Sequence, residues 1–217
     1  MNDDKRPVPG PETAPASGLA AGLDRLIAGL GRISTVGCWL GGGALAVFAL
    51  GTGGEVLARR FLGMSLGGMD EIGGYVLAIV AAVAFTETLL ARGHIRIDIL
   101  RGQLPGKLRE IMDLIAMLSL IVFFGLVLWY GHALLARNWG LGARSMTPLA
   151  VPLWIPQVLW VLALALFWIT SCLLFLRGLI AFATGENARL AALIGAKATE
   201  EEIEDERALS AAAETAR

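Results

Sequence analysis

Residues 153–176 read "LWIPQVLWVLALALFWITSCLLFL" and carry no charged side chain. A helix that crosses a bilayer needs about 20 predominantly apolar residues. This run meets that length without interruption, so it is read as a transmembrane helix. Pro152 and Pro156 stand where such a helix begins, the place that tolerates proline best.

Three more runs of the same kind precede it. They are 33–54, "ISTVGCWLGGGALAVFALGTGG"; 72–91, "IGGYVLAIVAAVAFTETLLA"; and 111–135, with Asp113 near its start. The last span extends over 153–182. Composition agrees: 56% of the chain is hydrophobic and 17% charged, against about a quarter charged in soluble domains. The expected fold is an all-α integral membrane protein with four transmembrane helices. A net charge of −1 gives no basic footprint for nucleic acid.

The flanks are polar. Residues 1–17 include Pro7, Pro9, Pro11 and Pro15 and are expected to be a disordered cytoplasmic terminus. They make a poor signal peptide, because the first long apolar run starts only near Ile33 and no small-residue cleavage site follows closely. Residues 18–32 place Leu19, Leu23, Leu26, Ile27 and Leu30 at helical spacing among Asp24, Arg25 and Arg32. This predicts an amphipathic helix on the membrane surface leading into span one. The four-helix domain is thus 18–182. Residues 183–217 form an acidic cytoplasmic tail, partly helical, in which Thr199 and Glu202 have capping-box spacing. Its acidic run is a solvated face or a docking segment.

Orientation follows from Lys and Arg. Fourteen of the eighteen fall before span one, between spans two and three, or at the end of span four and in the tail. The other two loops hold only Arg59, Arg60, Arg137 and Arg144. The positive-inside rule then puts both termini in the cytoplasm. Cys38 and Cys172 lie within apolar runs and read as small apolar side chains, not a disulfide.

Groups able to carry chemistry are few. An ionisable residue within a span costs about 2.5–3.5 kcal/mol, which makes each one a functional candidate. Glu87 is about four residues from the end of span two. It is either a buried partner for a cation or an arginine, or a carboxylate that reaches the interface or sits protonated. Asp70 and Glu71 precede span two, where negative charge suits a helix N-terminus. His132 has no second histidine at ligand spacing, so haem and zinc are not expected. Gly74, Ala78, Ala82 and Thr86 form a small-residue stripe on span two, and Gly37 and Gly41 repeat its spacing on span one. Such stripes let helices approach closely, here each other or another protein. Repeats, interrupted helices and midplane polar groups, the marks of a self-sufficient carrier, are missing from the sequence. The pattern favours an auxiliary membrane subunit without catalytic residues, cofactor or metal.

One segment is ambiguous. "GHIRIDIL" at 93–100 alternates like a strand, yet an unpaired strand at the bilayer surface leaves its backbone unsatisfied. Ile97, Leu100, Leu104, Leu108 and Ile111 recur at helical steps, which predicts a short interfacial helix between spans two and three. His94 and Asp98 then hydrogen-bond to each other or tie this elbow to a partner.

Taken in order, "ARRFLGMS" (58–65), "DEIGGYVLAIVAAVAF" (70–85), "GHIRIDIL" (93–100), "LPGKLRE" (104–110) and "SMTPLAVPLWIP" (145–156) resemble the DctQ-like small membrane subunit, or Q subunit, of TRAP (tripartite ATP-independent periplasmic) transporters. That resemblance implies a scaffold for a large multispan permease subunit, which itself holds the substrate and sodium sites. It also implies a periplasmic solute-binding protein as partner, sodium-coupled uptake of an organic acid, and residence in the bacterial inner membrane among its lipids. The family's acidic pair corresponds to Asp70 and Glu71, and its His…Asp signature to His94 and Asp98. Arg59 is carried over from the first piece; Arg60 stands where the family often has an aromatic residue. The competing reading is a small oligomeric exporter that couples protons through Glu87.

Overall fold

The computed structural model describes residues 18–63, 67–93 and 105–195. Five helices account for most of them: α1 (Gly18–Leu62), α2 (Met69–Leu90), α3 (Gly106–Gly140), α4 (Trp154–Thr184) and the short α5 (Asn187–Ile194). The first four are long and apolar enough to cross a membrane. The chain is an all-α, multi-pass membrane protein.

Residues 18–32 do not form a separate surface helix. They are the opening turns of α1, which runs unbroken for 45 residues, about 67 Å at 1.5 Å per residue. Ala20 and Leu23 in this segment are buried. Of the apolar stripe read as lipid-facing, Leu23 and Ile27 pack on protein, where α4 and α5 rise beside them, while Leu19 and Leu26 stay exposed.

The most deeply embedded helix is α4, which packs against α1, α2, α3 and α5. Glycines on its neighbours admit its large rings. The ring of Trp160 lies over Gly131, and the Trp168 indole N–H passes Gly125 to donate to the Ile121 carbonyl at 3.0 Å. Phe85, Phe124 and Phe167 stack edge-on or tilted where α2, α3 and α4 meet. The larger core joins Leu89, Met117, Phe167, Leu174, Ala181, Leu190 and Ile194. It gathers toward the end of the bundle where α1 begins and α4 finishes.

α1 and α2 pack antiparallel along a ladder of glycines. Gly37 and Gly41 on α1 face Val83 and Val80, while Gly73 on α2 faces the ring of Phe48. A Cβ at Gly73 would stand 2.3 Å from that ring, so the close approach requires glycine there. The small-residue stripe of span two divides. Ala82 and Thr86 are buried, but Ala78 and Gly74 are exposed, and open space surrounds Gly74.

Candidate functional site

Three polar clusters stand out in this apolar frame, one near each end of the bundle and one on its flank.

The first centres on Glu71, in the first turn of α2. The Tyr75 hydroxyl, one turn on, donates to Glu71 Oε1 at 2.6 Å. The Thr147 hydroxyl donates to Glu71 Oε2 from the α3–α4 loop. Ser145 Oγ lies 3.1 Å from Thr147 Oγ1 and accepts the Val151 N–H at 3.0 Å. The loop closes on itself as well. The Ser145 N–H donates to the Val151 carbonyl, the Leu153 N–H to the Ala143 carbonyl, and the Arg144 guanidinium to the Ala150 carbonyl. Leu149 packs against Gly68, which has a φ of +91° and no room for a Cβ. Two stretches far apart in sequence, 70–75 and 145–153, therefore form one rigid cap. Asp70, the other half of the acidic pair, is exposed in the same helical turn. Nearby, Arg59 on α1 donates to the buried Glu55 at 2.7 Å across one helical turn.

The second cluster was not foreseen. Arg177 on α4 is wholly buried. Its Nε donates to Asp24 Oδ1 at 3.2 Å, and its Nη2 to Glu186 Oε2 at 3.4 Å. Arg189 on α5 donates to the other oxygen of Asp24. Two cations and two carboxylates thus bind α1, α4 and α5 together, which offsets the cost of burying the guanidinium. The available signal was an arginine within the predicted limits of span four. From the sequence it counts only as a charge that sets orientation.

The third is Glu87. It is half-buried, and Thr35 on α1 is its hydrogen-bond partner among the described residues, at 3.3 and 3.4 Å. The carboxylate borders an open groove of about 610 Å³ lined by Thr35, Cys38, Trp39, Gly42, Gly43 and Ala46. Glu87 is therefore far from the Glu71 cap, at the opposite end of α2. His94 and Asp98 lie outside the described residues, as do the predicted interfacial helix before Pro105 and most of the acidic tail. Among the described residues no three His, Cys, Asp or Glu side chains converge as a metal site.

No curated protein and no solved structure matches the chain. A family model does: "Tripartite ATP-independent periplasmic transporters, DctQ component", over residues 48–184. The matched region runs from the middle of α1 to the last residue of α4 and takes in both halves of the Glu71 cap. It covers more than half of the chain, which belongs to the DctQ family, the small membrane component of TRAP transporters.

Proposed function

We propose that this chain braces the large permease subunit of a sodium-coupled TRAP transporter for an organic acid and helps dock the periplasmic solute-binding protein. It would do so in the bacterial inner membrane with both termini cytoplasmic. The observation that carries the reading is the exposure of α1. Its charge-free stretch, 33–54, leaves Val36, Trp39, Leu40, Val47 and Leu50 uncovered, whereas α4 buries residues along its whole length. Away from its seam with α2, this span has apolar surface to offer a larger neighbour, and lipid covers the remainder. The ion clusters support the same reading: they lie toward the two ends of the bundle and stiffen it, as a brace requires. The Glu71 cap, on the side assigned to the periplasm, gives a rigid surface on which a soluble partner can settle.

The test is purification in mild detergent from cells that express the large subunit, alongside uptake assays in a strain lacking this chain. Co-purification, and loss of sodium-dependent organic-acid uptake on deletion, are expected. Undiminished uptake without the chain overturns the proposal. Proton-coupled flux by the chain alone in liposomes, abolished in Glu87→Gln, would favour the exporter instead.

A further inference from the structure

α1 presents two different small-residue faces, and only one is occupied within the bundle. Gly37 and Gly41 are covered by Val83 and Val80. Gly42 and Gly43 are not: a Cβ built at either meets nothing within 4 Å. Thr35, Cys38, Trp39, Gly42, Gly43 and Ala46 recur at three- and four-residue steps, the seam of a helix that packs against another helix. At 100° per residue this seam lies roughly 140° around α1 from the face that meets α2. It forms the floor of the 610 Å³ groove, and Glu87 closes one end.

We propose that this groove receives a transmembrane helix of the large permease subunit that presents a lysine or arginine to Glu87. The inference rests on the small-subunit reading above and names its contact face. Charge complementarity decides the occupant. A carboxylate near the end of a span, met among the described residues by one threonine hydroxyl at 3.3–3.4 Å, gains most from a cation beside it. The uncovered glycines point the same way. Acyl chains solvate large and small side chains alike, whereas a helix backbone can come close only over glycine. Trp39, 80% exposed, flanks the seam and would pack along the incoming helix.

Cys38 lines the groove and serves as a built-in reporter once Cys172 is replaced by alanine. A membrane-permeant maleimide should label Cys38 faster in the isolated subunit than in the complex. Gly43→Leu and Glu87→Gln should each lower recovery of the large subunit about tenfold, the size of one interhelical polar or packing contact. Glu87→Asp should restore most of it. The isolated variants should melt in detergent like the wild type, since Gly43 faces open space. Equal labelling of Cys38 in free and complexed subunit, with normal assembly of Gly43→Leu, overturns the inference and leaves the small-subunit reading standing. With both samples in lipid nanodiscs, protection of Cys38 no greater with the large subunit than without it overturns it in favour of a lipid, and Cys38–Cys38 cross-linking in favour of a second copy. Failure of the wild-type chain to assemble with any large multispan protein removes the reading beneath it.

Discussion

The Arg177 guanidinium, wholly buried on α4, donates to the carboxylate of Asp24, 153 residues earlier on α1. Removing one member of a buried pair strands the other charge, at a cost of about 3–5 kcal/mol, whereas replacing both with apolar residues is often nearly neutral. Asp24→Ala leaves Arg177 with Glu186 alone, at 3.4 Å, and should lower the unfolding temperature in detergent, by less than full stranding would. Asp24→Leu combined with Arg177→Met should recover much of the loss, because Glu186 and Arg189 sit partly in solvent. Thermal melts of the three variants decide this. An Asp24→Ala chain as stable as the wild type would show that the pair holds nothing.

The cap over α2 depends on a charged acceptor. Hydrogen bonds from Thr147 and Tyr75 hold the Glu71 carboxyl below its usual range, and Glu71→Gln keeps the shape but replaces that charged acceptor with a weaker, neutral one. The loop should loosen locally without unfolding the bundle. Hydrogen exchange at the amides of Ser145, Val151 and Leu153 should accelerate in Glu71→Gln and in Thr147→Val, while amides in the middle of α3 stay protected. Unchanged exchange in the loop counts against the cap.

Adjacent glycines in α2 should behave oppositely. Gly73→Ala drives a methyl into the Phe48 ring, an overpacking cost of about 1–3 kcal/mol. Gly74→Ala meets open space and gains up to about 1 kcal/mol of helix propensity. Melting temperatures of the two variants should fall on either side of the wild type. A Gly73→Ala chain as stable as its parent would mean that α1 and α2 do not pack this closely.

Sidedness is testable at two exposed positions. Met146, fully exposed on the α3–α4 loop, and Lys107, exposed in the first turn of α3, fall on opposite sides of the proposed topology. With Cys38 and Cys172 replaced, Met146→Cys should react with an impermeant thiol reagent from the periplasm and Lys107→Cys should not. The reverse pattern inverts the protein in the membrane.

The four spans were legible because a charge-free run of bilayer length has few other uses. What escaped the sequence is which faces meet. The stripe Gly74, Ala78, Ala82, Thr86 is regular in number but not in direction: a step of four residues overshoots a turn by about 40°, so its ends diverge by roughly 120°. Thr86 is therefore buried while Gly74 looks outward, and Gly73 makes the close contact. The segment 18–32 was legible as amphipathic. Its pattern is the same whether the apolar side rests on lipid or on α4 and α5, and only the packing distinguishes them. Of the Glu71 cap, one half was visible as an acidic helix start. Thr147 and Ser145 are ordinary loop residues until the fold carries them across to α2.

The central place of α4 has a consequence for biosynthesis. It is the last of the four long helices to leave the ribosome, and the one on which the others converge. α1 and α2 can pair as soon as both are in the membrane, but the rings of Trp160 and Trp168 that fill the glycine notches of α3 arrive only with α4. Until then α3 has its ring contact with α2 through Phe124 and Phe85 but not the packing of α4. The tertiary packing of the bundle is therefore completed only in the final stage of its synthesis, and a chain that stalls before residue 154 lacks the helix on which the others converge.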